Sequence, residues 1–152
     1  MPSTFCNLLI HVVFSTKRRE PWMTGEMQPR LYEYIGGVVH GENGRLIEIG
    51  GTADHVHLLI SWRTDESVAV LMRNLKSHSS GWIHQTFPAL GGFQWQEGYG
   101  VFSVSASQEG RVGSYIQNQA QHHKRLTFQE EFERFLRAHR VEYDRGLLWG
   151  ER

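Results

Sequence analysis

The order of strand-like and helix-like segments is the feature that most limits the fold of this 152-residue chain. Short runs rich in β-branched and aromatic residues alternate with longer runs in which apolar residues recur every three or four positions. These spacings are typical of strands and amphipathic helices respectively. The order is strand, helix, strand, strand, helix, strand, followed by further helices. It predicts an α+β protein with the ferredoxin-like split β-α-β arrangement, an antiparallel sheet with two helices on one face.

Turn and capping residues indicate where these segments begin and end. Strands are predicted at 5–15, 45–50, 55–62 and 93–106, the last interrupted by Gly98 and Gly100. Thr24, Asp65 and Ser107 are expected to begin helices over 25–41, 66–86 and 107–121. Thr127 and Glu130 predict a capping box for a last helix over 128–139, and the tail after it is expected to be irregular.

Composition excludes several classes of protein. Hydrophobic residues make up 39% and charged residues 21%, as in globular domains, and the length suits one domain. The apolar runs are far shorter than the roughly 20 residues of a membrane span, so no membrane association is expected. A single cysteine, Cys6, rules out an internal disulfide, and a cytoplasmic location is the resulting expectation.

The strand "HVHLLISW" carries two histidines where apolar residues are expected. His55 and His57 share one face, about 7 Å apart along the strand, while Val56, Leu58 and Ile60 share the other. The apolar face is predicted to pack on the helices. Two imidazoles on one face can converge on a metal ion, but strand histidines are also common as purely structural residues.

A second group of polar residues lies near the predicted helix over 107–121. Tyr115 and Gln119 are four positions apart and therefore on one helix face, with Asn118 beside them. A tyrosine hydroxyl attacks a phosphodiester only with a metal or base nearby, and a glutamine carbonyl is a neutral oxygen ligand. A tyrosine packed on the sheet is the alternative reading. Imidazole nitrogens suit Mn²⁺ better than Mg²⁺, although substrate phosphates make Mg²⁺ workable.

Charge is balanced overall but not locally. The formal net charge is +0, which by itself argues against nucleic-acid binding. The clusters "TKRR" at 16–19 and "HHKR" at 122–125 are nevertheless compact and basic. His122 and His123 lie near the predicted C-terminal end of a helix. Histidines are common there because they interact favourably with the helix dipole, so neither residue is assigned a role in the site.

Four motifs together resemble one family. "HVVFSTKRR", "DHVHLLI", "LKSHSS" and "YIQNQ" occur in the order and spacing of the single-tyrosine HUH transposases of the insertion sequence 200 and 605 class. The resemblance covers roughly residues 5–125. The tail after it is similar to that of the transposases associated with repetitive extragenic palindromes (REP), so a mobile element and a domesticated relative both stay open.

The resemblance implies a function and a site. His55, His57 and Gln119 would hold a divalent ion, Mg²⁺ or Mn²⁺, and Tyr115 would cut single-stranded DNA and form a 5′-phosphotyrosine. The DNA would carry hairpins or palindromes, and the protein would be a homodimer. Residues 1–125 would form the catalytic domain, and 126–152 a helical extension packed on it.

The basic residues suggest where DNA would lie. The expected contacts to DNA are Lys17, Arg18, Arg19, Arg73, Lys76 and Asn118, and for the cations a solvated surface role is the alternative. Two other functions remain open. One is a nuclease like relaxases or replication initiators, and the other is a non-catalytic nucleic-acid-binding module with a ferredoxin-like fold.

Overall fold

The computed structural model describes residues 4–150, and its four strands form one antiparallel sheet. They are β1 (Leu8–Ser15), β2 (Arg45–Gly51), β3 (His55–Trp62) and β4 (Gly100–Val104), in the spatial order β2-β3-β1-β4. Each neighbouring pair is antiparallel. The α+β class and the ferredoxin-like order of elements are therefore confirmed.

Six helices accompany the sheet in the part of the chain that the structure describes. They are α1 (Met27–Gly41), α2 (Val68–Thr86), α3 (Glu109–Gln117), α4 (Gln119–His122), α5 (Phe128–Ala138) and α6 (Arg145–Trp149). Helices α1 and α2 cover one face of the sheet, as predicted. Val56, Leu58 and Ile60 lie in that core and are fully buried.

The second face of the sheet is covered as well, by the C-terminal helices. Ile116 of α3 packs on Leu9 and Leu59, and Phe128 and Phe132 of α5 pack in a cluster with other apolar side chains of the sheet. The sequence predicted helices after the sheet but did not place them on this face. Because they lie there, His55 and His57 are buried at a sheet–helix interface.

Several predicted element ends were wrong. Helix α1 begins after Glu26 and not at Thr24, because Gly25 between them has a φ of 60° that no helix continues. Ser67, not Asp65, caps α2 by accepting a hydrogen bond from the Val70 amide.

The C-terminal half also departs from prediction at three points. The strand predicted at 93–106 shortens to β4, with one isolated bridge from Thr16 to Trp95 upstream of it. The helix predicted over 107–121 divides into α3 and α4 at Asn118. A short helix, α6, forms in the tail that was expected to be irregular, capped by Asp144.

The capping box on α5 is confirmed. Thr127 accepts a hydrogen bond from the Glu130 amide at 3.1 Å, and Glu130 accepts one from the Thr127 amide at 3.2 Å. This box fixes the start of the helix that closes over the two histidines.

Candidate active site and metal centre

His55 and His57 point from β3 toward a single buried place on the second face of the sheet. Both side chains are fully buried, and their ring centroids are 5.2 Å apart. The alternation of side chains along a strand is what directs both rings to this face.

The Nδ1 atom of each of these histidines lies within hydrogen-bond distance of a neighbouring polar side chain. The Nδ1 of His55 lies 2.7 Å from a carboxylate oxygen of Asp54 and 3.0 Å from the hydroxyl of Thr52. The Nδ1 of His57 lies 2.8 Å from the Nε2 of His11. Burial and the neighbouring His57 lower the pKa of His11 to about 3, so His11 is neutral near pH 7. Such partners orient imidazoles and leave the Nε2 atoms free to bind a metal.

The carboxylate of Glu131, on α5, lies at the point where the Nε2 atoms converge. Its Oε1 is 2.9 Å from the Nε2 of His57, 3.1 Å from that of His123 and 3.4 Å from that of His55. Glu131 is buried, with 1% of its surface exposed. Burial would raise the pKa of Glu131, but hydrogen bonds from His123, His55 and His57 hold it well below its usual range, so the group is a carboxylate.

Tyr115 reaches the same carboxylate from α3. Its hydroxyl donates a hydrogen bond to the Oε2 of Glu131, and its ring stacks on His122 with centroids 4.4 Å apart. Burial, together with the hydrogen bond to Glu131, raises the pKa of Tyr115 above its usual value. The hydroxyl is therefore protonated at neutral pH and needs a nearby positive charge to become a nucleophile.

Gln119 joins the cluster from α4. Its Oε1 lies 2.9 Å from the Nε2 of His55, and its Nε2 donates to the Oε2 of Glu131 at 3.1 Å. The helix break at Asn118 separates Gln119 from Tyr115, yet both side chains still converge on Glu131.

The electrostatics of the cluster favour a cation. Burial lowers the pKa of His55, but hydrogen bonds to Asp54 and Glu131 outweigh it and raise that pKa to about 9. His57 is the opposite case, because burial dominates and lowers its pKa. In the metal-free chain, protonated His55 therefore balances the negative charge of the buried Glu131 carboxylate.

The donor set fits a metal ion. One ligand atom from each of His55, His57, His123 and Glu131 lies within 4.8 Å of the others. Imidazole nitrogens with a carboxylate oxygen are the donors that first-row transition metals take in proteins.

The predicted DNA-binding residues divide into two groups. Lys17, Arg18, Arg19 and Lys76 line one open groove of about 700 Å³, whereas Arg73 and Asn118 lie outside its lining. Lys76 also donates to the carbonyl of Gln96 at 2.9 Å and to that of Gly98, and burial lowers its pKa to about 8. Arg73 is exposed on α2, and Asn118 donates to the carbonyl of Ser114 at 2.8 Å.

Sequence reasoning missed Glu131, His123 and His11 as parts of this cluster. A signal for Glu131 existed, because it lies three positions after Phe128 and four before Phe135, inside the apolar stripe of α5. His11 likewise alternates with Leu9 and Val13 on the buried second face of β1. In both cases the signal is a polar residue at a position where the spacing of apolar residues predicts a buried side chain.

Comparison with known proteins agrees with the resemblance carried by the motifs. The family described as "Transposase IS200 like" matches residues 4–119. The ISDra2 transposase TnpA of Deinococcus radiodurans is 25% identical over 114 residues, which cover 72% of this chain and 81% of that protein. The transposase for insertion sequence element IS200 of Salmonella typhimurium is 28% identical over 124 residues, covering 78% of this chain and 80% of the relative.

Solved structures show the same fold. A crystal structure of a protein described as a transposase from Deinococcus radiodurans has a TM-score of 0.66 at 24% identity and covers 78% of this chain and 95% of that chain. A REP-associated tyrosine transposase bound to a REP hairpin has a TM-score of 0.55 at 14% identity, covering 76% of this chain and 68% of that one. Between residues 4 and 150, none of the helices is long and apolar enough to cross a membrane.

Proposed function

We propose, since this chain belongs to the family of IS200-like transposases, that it cuts and rejoins single-stranded DNA through a covalent bond to Tyr115. The family membership makes the chain a DNA-binding transposase. We further propose which residue is the nucleophile, that a divalent metal is required, and which form of DNA is bound.

One observation carries it. The hydroxyl of Tyr115 and the Nε2 atoms of His55 and His57 all reach the same buried carboxylate, that of Glu131. Side chains from β3 and α3, two elements far apart in sequence, thus meet at one point. A tyrosine that only packed on the sheet would need none of these polar partners.

We propose that His55, His57 and Gln119 hold a divalent ion, Mg²⁺ or Mn²⁺. When bound, such an ion supplies positive charge that stabilises the developing charge on a phosphoryl group and favours the ionised tyrosine. Asp54 and His11 keep the two imidazoles oriented with Nε2 toward the site.

The proposed covalent step uses Tyr115 directly. Its phenolic oxygen attacks the scissile phosphorus, and the bond from phosphorus to the 3′ oxygen breaks. The products are a 5′-phosphotyrosine and a DNA end with a 3′-hydroxyl, which takes up a proton as the tyrosine loses its own. The Oε2 of Glu131 accepts the hydrogen bond of that tyrosine proton before the attack. Attack by a 3′-hydroxyl on the phosphotyrosine reverses the step and rejoins the strand, so no nucleotide cofactor is consumed.

The basic groove supports a DNA path beside the site. Lys17, Arg18, Arg19 and Lys76 line it, and lysine and arginine side chains are common partners of DNA phosphates. Trp149 forms another part of its wall and lies under the guanidinium of Arg19 at 5.6 Å. We propose that this groove receives single-stranded DNA next to a hairpin, the form of DNA that the REP-bound structural relative holds. Arg73 and Asn118 are proposed to contact DNA outside the groove.

The domain organisation and assembly stay proposals too. We propose that residues 1–125 form the catalytic domain and 126–152 a helical extension packed on it; α5 lies against the sheet through Phe128 and Phe132, and residues 1–3 and 151–152 lie outside the described part. Within one chain, Tyr115 already reaches the histidine pair, so a single chain can assemble the site. A homodimer is proposed because transposition handles two DNA ends, and the cytoplasm is proposed as the location.

The test uses hairpin-forming single-stranded oligonucleotides taken from the DNA that flanks the gene, with Mn²⁺. The wild-type chain should form a protein–DNA adduct that resists denaturant, and Tyr115→Phe should form none while still shifting the DNA in a native gel. Tyr34→Phe is the matched control, because Tyr34 stacks on Trp82 on the far face of the sheet. An adduct that persists in Tyr115→Phe would overturn the proposal.

A further inference from the structure

We infer that Glu131 and His123, which follow the family match, are additional ligands of the metal, so that the centre has three histidines, one glutamine and one carboxylate. This inference rests on the proposed metal site and goes beyond its ligands His55, His57 and Gln119. It makes the segment after residue 119 a working part of the active site.

Distances allow all four groups to bind one ion. In a coordination shell with bonds of about 2.1 Å, adjacent ligand atoms lie about 3.0 Å apart at 90° and about 3.4 Å apart at the tetrahedral angle. The Oε1 of Glu131 lies 2.9, 3.1 and 3.4 Å from the Nε2 atoms of His57, His123 and His55. Each contact therefore already has the length of an edge of such a shell.

The arrangement of protons around His55 argues for a cation at this point. Asp54 can only accept, so the Nδ1 of His55 carries the proton that joins them. In the neutral ring the Nε2 is then a lone pair, and it faces the Oε1 atoms of Glu131 and Gln119. A cation among these three atoms gives each of them a partner, a proton in the metal-free chain and a metal ion when one is bound.

Charge balance leads to the same conclusion. The side chain of Glu131 is 2% exposed, and its ion-pair partners at this point are imidazoles, which are neutral as metal ligands. A carboxylate buried without a compensating charge is costly. A divalent ion bound to its Oε1 neutralises Glu131 and part of the charge of Asp54.

The ligand set also determines which ion the site prefers. Mg²⁺ favours oxygen ligands and retains its waters, whereas imidazole nitrogens suit Mn²⁺, Co²⁺ and Zn²⁺. With three nitrogen donors the centre is expected to take a transition metal in preference to Mg²⁺.

The two oxygens of Glu131 have different partners, and this links the ion to the nucleophile. Oε1 faces the three histidines, while Oε2 accepts hydrogen bonds from Tyr115 and Gln119. As a ligand, Glu131 would hold the tyrosine hydroxyl beside the ion, and it would act there as a positioning residue.

Metal binding by the chain without DNA tests the inference independently of activity. Mn²⁺ binding is followed by the loss of its free-ion electron paramagnetic resonance signal, with Mg²⁺ as competitor. The wild type should bind Mn²⁺ at least about tenfold more tightly than Mg²⁺. Glu131→Gln and His123→Ala should each weaken Mn²⁺ binding by about tenfold or more, the size of effect that even outer partners of a metal produce.

Two variants serve as controls. Glu130→Gln is the neighbour on the same helix; it is exposed, and glutamine retains the capping box, so Mn²⁺ binding should not change. His57→Ala should abolish binding. His123 is 12% exposed at the edge of the cluster, so His123→Ala keeps the test valid if Glu131→Gln fails to fold.

The outcomes separate this inference from the proposed function. Unchanged or tighter Mn²⁺ binding in Glu131→Gln and His123→Ala, with loss in His57→Ala, would overturn the inference and leave the proposed site intact. In that case the Glu131 carboxylate would occupy the metal position in the metal-free chain and would leave it when the ion binds. Equal Mn²⁺ binding by the wild type and His57→Ala would contradict the proposed metal site itself, and the inference with it.

Discussion

Replacing Gly50 by alanine is expected to slow DNA cleavage without touching any residue that performs it. Gly50 lies on β2 opposite His57, and helix α3 crosses directly over it. An added Cβ would lie 2.9 Å from the carbonyl carbon of Ile116 and closer still to its oxygen. Ile116 is the residue next to Tyr115, so the clash acts on the backbone that carries the proposed nucleophile.

The size of the effect follows from that contact. Carbon atoms prefer separations of about 3.5–4.0 Å, so α3 has to move away from β2 by about 1 Å. Overpacking of this kind costs about 1–3 kcal/mol of stability. A misplacement of about 1 Å in an active site can cost about 10²-fold in rate.

The assay compares the rate of adduct formation with the free energy of unfolding in urea. Gly37→Ala is the matched control, because Gly37 is an exposed α1 residue with no atom within 4 Å of an added Cβ. It should leave the rate unchanged and stabilise the protein by about 0.5–1 kcal/mol. A rate for Gly50→Ala within about threefold of wild type would refute the claim that the contact between α3 and β2 positions Tyr115.

Two further predictions concern the metal-free chain. The pKa of His55 is raised to about 9, so its contribution to stability is complete below its unfolded pKa of about 6.5 and is lost as the pH rises through about 9. Asp54→Asn removes part of that contribution, and its urea stability deficit should be greatest near pH 6 and smaller at pH 9; an equal or larger deficit at pH 9 would contradict this. Thr127→Ala breaks the capping box of α5 and should lower the free energy of unfolding by about 1 kcal/mol, with no loss counting against that role.

The sequence was sufficient for the fold because its periods are clear. Alternation along β3 predicted that Val56 and Leu58 would face the helices and that His57 would face away, and the structure agrees. Thr127 and Glu130 predicted the start of α5 for the same local reason. Such features depend on neighbours within a few residues, which a single sequence displays.

The rest of the site depended on contacts between distant parts of the chain. Glu131 meets His57 across 74 positions, and His11 meets it across 46. No local pattern states which face of the sheet α5 will cover, and the break at Asn118 became visible only with the helices in place. A carboxylate inside an apolar stripe indicates a buried partner without identifying that partner.

The residue that carries the DNA after cleavage shows directly whether Tyr115 is the nucleophile. The adduct formed with a hairpin-containing oligonucleotide is digested with protease and nuclease, and the modified peptide is located by mass spectrometry. We expect a nucleotide 5′-phosphate on Tyr115, within "VGSYIQNQAQHHK". A nucleotide on any other residue, or cleavage of the DNA without a covalent peptide, would contradict it.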